Sequence, residues 1–178
     1  MTPSASQTVG PFFNFALTSD PSLGVLAGEG ERIHLSIRVL DGDATPAPGD
    51  AMIELWQADS QGRYAHPNDP RGCAPGFSGF VRLETNLDGT CTYSTIKPGP
   101  VADGQAPHIN VAVFARGLLK QLHTRIYFSR DERNATDPVL ALVPRARRET
   151  LIAFETQPGQ WTIDIRLQGD GETVFFDL

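Results

Sequence analysis

Three scarcities narrow the possibilities before any motif is considered. Only two cysteines occur in 178 residues, Cys73 in a Gly/Pro-rich loop and Cys91 in a strand-like run. No CxxC spacing is present, which argues against a disulfide framework or a zinc knuckle and leaves two free thiols as the expectation. No apolar run approaches the roughly 20 residues that a membrane-spanning helix needs. The opening residues Met1-Thr2-Pro3-Ser4-Ala5-Ser6 lack the basic start and apolar stretch of a secretory signal, so a cytoplasmic location is expected. Positive charge is in deficit: 15 Lys and Arg stand against 21 Asp and Glu, a formal net charge of −6. That gives no long-range attraction to nucleic acid or to an anionic membrane. The one local basic cluster, Arg145, Arg147 and Arg148 beside Glu149, reads as a solvated edge.

What the chain has instead is turn formers, 17 Gly and 14 Pro, in a length that fits one domain spanning 1–178. Between the turns, apolar residues alternate with polar ones. Ile33-His34-Leu35-Ser36-Ile37-Arg38-Val39 alternates, Asp41-Gly42 turns the chain, and Ala51-Met52-Ile53-Glu54-Leu55-Trp56 alternates again, which predicts a hairpin. Strands over 80–85 and 90–96, joined by Asp88-Gly89, predict a second hairpin. Further strands are expected over 108–115, 121–128 and 160–167, the last leading through Gly169-Asp170-Gly171 to Val174-Phe175-Phe176. This many short alternating segments predict an all-β fold, an antiparallel β-sandwich with long loops. One short crossover helix is expected over 137–143, with Asp137 as N-cap, Pro138 at the first helical position and Pro144 as the stop.

Three segments carry chemistry. Two irregular stretches, 57–79 and 97–107, are long for a domain of this size, and loops of that length are usually functional. The arm Ser6-Gln7-Thr8-Val9-Gly10-Pro11-Phe12-Phe13 ends in paired aromatics that require a surface to pack on. In Pro107-His108-Ile109-Asn110-Val111-Ala112-Val113-Phe114-Ala115-Arg116, residues 108, 110 and 116 share one parity and the apolar residues the other. Two imidazoles two residues apart on a strand would aim at one ion, but the second position is Asn, a poor transition-metal ligand. The strand reads as the scaffold of a metal site without the metal.

The wider motif set is Ser6-Gln7-Thr8-x-Gly10-Pro11, Leu55-Trp56-Gln57-Ala58-Asp59 with Gly62 and Tyr64, Thr95-Ile96-Lys97-Pro98-Gly99, Pro107-His108-Ile109-Asn110, Phe114-Ala115-Arg116-Gly117, His123-Thr124-Arg125-Ile126-Tyr127-Phe128, Arg147-Arg148-Glu149-Thr150-Leu151-Ile152-Ala153 and Gly171-Glu172-Thr173-Val174-Phe175-Phe176-Asp177. In that order it resembles the intradiol ring-cleaving dioxygenases, and within them the alpha chains of two-chain members. The resemblance implies a prealbumin-like sandwich and a complex with a homologous beta subunit, whose alpha–beta pairs assemble further. It also implies an O₂-dependent cleavage of protocatechuate to 3-carboxy-cis,cis-muconate in aromatic catabolism. The Fe(III) of such a complex sits in the beta subunit, held by two Tyr and two His. Against that pattern this chain keeps Tyr64 and His108. It has Val101 where the second Tyr stands, Asn110 where the second His stands, and Gln105 where the catalytic chain has Arg.

One phenol and one imidazole cannot hold a ferric ion against water and chelators. The chain is therefore expected to bind no metal or cofactor and to carry no catalytic residue of its own. Carried over by motif, Thr8, Gly10, Pro11 and Arg116 are expected to reach the partner's pocket, with residues 1–30 as an arm packing on the partner. Arg116 would pair with the substrate carboxylate, and Gly10-Pro11 would form a rigid wall. Arg116 in an interchain ion pair, and Thr8 as a packing residue only, are equally open. Two whole-chain alternatives stand beside the subunit reading. One is a self-sufficient enzyme with an atypical iron site from Tyr64, His66 and His108; the other is a non-enzymatic module holding a small aromatic ligand. His34 and His123 are expected to be hydrogen-bonded structural residues.

Overall fold

The computed structural model describes residues 5–18, 26, 28–42, 45–47, 51–102 and 104–177. Alternating burial produces the strands where alternation was read: β1 (Arg32–Leu40), β2 (Met52–Gln57), β3 (Phe80–Glu84), β4 (Thr90–Ile96), β5 (His108–Phe114) and β6 (Leu122–Phe128). The expected strand over 160–167 is β8 (Gln160–Arg166), and β7 (Ile152–Gln157), which was not expected, precedes it. They form one eight-stranded sheet in the order β3-β2-β5-β6-β7-β8-β1-β4. The sheet curls nearly into a barrel, so the inner faces of both halves meet in one core that joins Ile37 and Val39 of β1, Ile53 of β2, Val111 of β5, and Trp161 and Ile165 of β8.

The expected all-β class holds, but the purely antiparallel pairing does not. β1 runs parallel to β8, and β6 parallel to β7 over a two-residue ladder. Neither expected hairpin forms. β1 pairs with β4 and β8 rather than β2, and β3 pairs with β2 rather than β4. A turn signal dictates that the chain reverses, not which strand receives it. Here Asp88-Gly89 reverses the chain across the end of the core, and β4 lands in the opposite half of the sheet.

The expected crossover helix is α2 (Pro138–Leu142), with Asp137 accepting at its N-cap from the Val139 and Leu140 amides. A second helix, α1 (Pro11–Thr18), occupies the arm where no helix was expected. Pro11 stands at its first position, where a fixed φ suits helix entry. The segment after β8 returns to β6 through a single bridge between His123 and Phe176. Both cysteines are free, and burial pushes the Cys91 thiol up to about 12. The basic cluster is used locally: Arg147 donates to the Glu172 carbonyl and Arg148 to the Val143 carbonyl. Among the described residues no helix is long and apolar enough to cross a membrane.

The two halves are joined by a buried amide. Gln57, at the end of β2, is 0% exposed. Its Nε2 donates to the carbonyls of Ile96 (2.9 Å) and Ala58 (3.2 Å). Its Oε1 accepts from Tyr93 Oη (3.1 Å) and Thr95 Oγ1 (3.0 Å). Both protons and both lone pairs are thus used, and three of the partners lie on β4, which is not a sheet neighbour of β2. Replacing Gln57 by Leu takes hydrogen bonds from two hydroxyls and two carbonyls in the core, at about 1–3 kcal/mol for each group left unpaired. Gln57→Leu is expected to lower unfolding free energy by about 3 kcal/mol in urea titration, and Tyr93→Phe by about 1 kcal/mol. A Gln57→Leu protein as stable as the parent would show that the amide constrains nothing.

Candidate functional site

The loop after β2 is organised by Asp59, two residues beyond Gln57 and fully buried. Its Oδ1 accepts from the amides of Gln61 (2.9 Å) and Arg63 (3.0 Å), and its Oδ2 from Arg63 Nε (2.9 Å) and the Ala74 amide (3.0 Å). Burial pushes this carboxyl up, but the hydrogen bonds from Arg63, Ala74 and Gln61 outweigh it and hold the pKa below the usual value. The loop lies tight against the 97–101 turn. Gly62 sits at φ 75°, and a Cβ there would fall 1.9 Å from the Pro100 carbonyl oxygen. This approach sets Tyr64 beside Val101.

Tyr64 then meets the start of β5. Its hydroxyl lies 3.3 Å from His108 Nε2 and accepts from Asn110 Nδ2 at 3.1 Å. His108 Nδ1 lies 2.8 Å from the Ala106 carbonyl, so Nδ1 carries the proton and Nε2 accepts from Tyr64. Burial, assisted by the charge of Arg125, drives the His108 pKa down to about 4, so the ring is neutral. Burial also raises the Tyr64 pKa, against the hydrogen bond from Asn110 and the charge of Arg125, and the phenol stays protonated. Tyr64, Val101 and Asn110 line a cavity of about 530 Å³ together with Trp56 and His66.

The four positions inherited from a metal-site pattern are thus brought together, with His108 behind Tyr64. Their chemistry does not fit a ferric ion. The imidazole lone pair is occupied by a phenol proton, the Asn110 amide nitrogen is a donor, and Val101 has no ligand atom. His66 does not complete the set: its Nδ1 accepts from the Asn68 amide, and its ring stands 5.6 Å from that of Trp56. Among the described residues no three His, Cys, Asp or Glu side chains are grouped as a metal site.

The other predicted residues lie beyond the far end of β5, whose last residue, Phe114, is four residues and roughly 13 Å along the strand from Asn110. β5 ends at Phe114, and Arg116 is exposed in the turn that follows, so the shared parity of 108, 110 and 116 does not carry through. Thr8 Oγ1 accepts from the Gly117 amide (2.7 Å) and donates to the Ala115 carbonyl (3.5 Å), which clips the arm to this turn. Phe13 packs its ring 5.9 Å from that of Phe114, so the described part of the arm lies on its own chain. Gly10 has open space where a Cβ would stand, and its carbonyl accepts from Phe13 as α1 begins. Pro11 opens α1, and its side chain lies outside the described residues, as does most of the 19–27 segment of the arm.

Sequence reasoning gave no role to the polar row behind His108. Arg125, opposite Asn110 in the β5–β6 register, donates to Gln105 Oε1 at 2.8 Å. Tyr127 donates to Asp137 Oδ1 at 3.2 Å, and Asp137 Oδ2 accepts from the Ala106 amide at 2.7 Å. The odd positions 123, 125 and 127 were the available signal. His34 shares a hydrogen bond with Ser94 Oγ at 2.8 Å, and half-buried His123 lies on the outer face of β6, where it lines a cavity.

The His108 shift makes stability depend on pH. Below pH 6.5 the unfolded chain protonates this imidazole while the folded chain does not until about 4. Stability from this group is therefore full at neutral pH and falls as pH drops through that window. Between pH 7 and pH 5 the loss is on the order of 2 kcal/mol. His108→Gln should show a correspondingly smaller decrease in urea unfolding free energy over the same interval; parallel decreases in both proteins would refute the buried neutral ring.

Comparison with known proteins accords with this arrangement. A family model described as Dioxygenase matches residues 23–169. The chain is similar to the protocatechuate 3,4-dioxygenase alpha chain of Burkholderia cepacia, with 41% identity over 97% of this chain and 96% of that one. It is also similar to a protocatechuate 3,4-dioxygenase beta chain of Burkholderia cepacia, with 32% identity over 84% of this chain and 64% of that one. Among solved structures, the dioxygenase domain of a dioxygenase carbohydrate-binding protein fusion from Streptomyces sp. SirexAA-E matches with a TM-score of 0.63. Its identity is 27%, and the match covers 85% of this chain and 88% of that domain. With a family match over most of its length and a relative aligned nearly end to end, the chain belongs to the intradiol ring-cleaving dioxygenases.

Proposed function

We propose that this chain is the alpha subunit, without iron, of a cytoplasmic protocatechuate 3,4-dioxygenase. In that complex a homologous beta subunit holds Fe(III), and alpha–beta pairs assemble further. The complex inserts both atoms of O₂ into protocatechuate between its hydroxyl-bearing carbons and forms 3-carboxy-cis,cis-muconate. The observation that carries the reading is the closed Tyr64–His108–Asn110 hydrogen-bond set, in which every potential ligand already has a protein partner. A chain with that set has no iron chemistry of its own and acts through the pocket of its partner. The prealbumin-like sandwich is the finer reading of the curled sheet, with β3-β2-β5-β6 as one layer and β7-β8-β1-β4 as the other.

The arm supplies the contact. Thr8, Gly10, Pro11 and Arg116 are assigned to the partner's pocket by motif, and the Thr8 clip to Gly117, which holds the arm beside the turn that carries Arg116, supports that grouping. A guanidinium there pairs with the substrate carboxylate at the end of the ring remote from the diol, and so positions the diol for the metal of the partner. A carboxylate left in water loses this pairing but keeps its chemistry, so the effect belongs in substrate binding rather than in turnover.

Two outcomes test the proposal. Purified alone, the chain is expected to be colourless and free of iron; co-purified with a His-x-His beta chain, the complex should show a tyrosinate-to-iron charge-transfer band. Stoichiometric iron in the lone chain would overturn the reading. In the complex, Arg116→Ala is expected to raise KM for protocatechuate about tenfold with kcat little changed, and to leave catechol, which lacks the carboxylate, unaffected. Equal losses on both substrates would remove Arg116 from the pocket.

A further inference from the structure

We infer that the outer face of β2, β5 and β6 carries a binding site for a small aromatic carboxylate, anchored by Arg125. The face holds a cavity of about 480 Å³ walled by Trp56, Phe80, Val139, Leu142 and Phe176, with Arg125 among its lining residues. That volume lies within the ~300–1,000 Å³ typical of small-molecule sites. Trp56 is 38% exposed, Phe80 40% and Leu142 81%. Three large apolar side chains left in water around one opening mark a site for an apolar body rather than scattered surface residues.

The charge inside this apolar wall selects the ligand. Arg125 is half-buried, and its Nη1 donates to Gln105 Oε1 (2.8 Å) and to Tyr127 Oη (3.4 Å), both neutral groups. Among the described residues no carboxylate lies within ion-pair distance of it. The buried Asp137 is saturated by the amides of Ala106, Val139 and Leu140 and by the Tyr127 hydroxyl. Glu54, also on the cavity wall, is paired with Arg82 at 2.6 Å, and Asp177 is exposed at the rim. The positive charge of Arg125 is felt at Tyr64, His108 and Tyr127, each of whose pKa values it lowers. A guanidinium without a counter-ion, set among aromatic rings, fits a planar ring bearing one carboxylate. Nothing in this site requires a diol or a metal, so the inference stands apart from the ring-cleavage reading, and its failure would leave that reading untouched.

The probe is benzoate and the reporter is Trp56, since the only other tryptophan, Trp161, is 4% exposed in the core. Benzoate is expected to quench the fluorescence of the full chain saturably, with benzamide at least tenfold weaker and acetate without effect. Arg125→Gln should weaken benzoate at least tenfold. Leu142→Asp, at an exposed position at the end of α2, should weaken it several-fold with an unchanged unfolding midpoint, which keeps the test sound if Arg125→Gln folds poorly. Absence of saturable quenching up to ~10 mM benzoate, a range that reaches even weak millimolar sites, would overturn the site. Equal affinity for benzoate and benzamide would overturn its charge selectivity. A Trp56 spectrum that responds to the homologous beta chain but not to benzoate would reassign the face to a subunit interface.

Discussion

Gln57 spends its whole hydrogen-bonding capacity across the core, and the position of the candidate site follows from that. The strand carrying it lies in one half of the sheet, and three of its partners lie on β4 in the other. Hydrophobic burial alone is indifferent to small slips of one half over the other, because apolar contacts are non-directional. Four directed bonds to a single buried amide are not indifferent. Two residues on, Asp59 gathers the backbone of the following loop in the same way, and Tyr64 is delivered to β5 as a result.

The approach of the 59–64 and 97–101 segments depends on what is missing from two side chains. A Cβ on Gly99 would lie 2.3 Å from the Ser60 carbonyl oxygen, and one on Gly62 would collide with Pro100. Without those contacts Val101 would not stand beside Tyr64, and the cavity between them and Trp56 would have a different wall. The fold thus brings Tyr64, Val101, His108 and Asn110 to one place, and hydrogen bonds among Tyr64, His108 and Asn110 fill it. A phenol proton on His108 Nε2 and an amide proton on the phenol oxygen occupy the directions that ligand bonds would take.

Much of this was legible in the amino-acid order. Seven strands followed from alternation, α2 from Asp137-Pro138 and Pro144, and the Val101 and Asn110 departures from the metal-site pattern from the residues themselves. Strand partners were not legible, because Asp-Gly turns encode reversal and leave the destination to the core. β7 was missed because only Ala153 of its six residues is buried, so it carries little alternation. α1 was missed because Pro11-Phe12-Phe13 reads as an apolar arm, and its helical entry rests on the Gly10 carbonyl accepting from Phe13. Arg125 carried no signal by itself. Its interest comes from what surrounds it, the neutral acceptors Gln105 and Tyr127, and those contacts are tertiary.

The closed set around His108 also bears on how the chain comes to be folded. In a protein whose ligands remain open, the binding energy of the ion enters the folding free energy, and the amount of native protein follows metal supply. Tyr64, His108 and Asn110 complete one another from within the chain, so on the proposed reading no such term enters. Synthesis and maturation of the subunit would then be decoupled from iron availability, and scarcity of the metal would be registered only in the chain that must carry it.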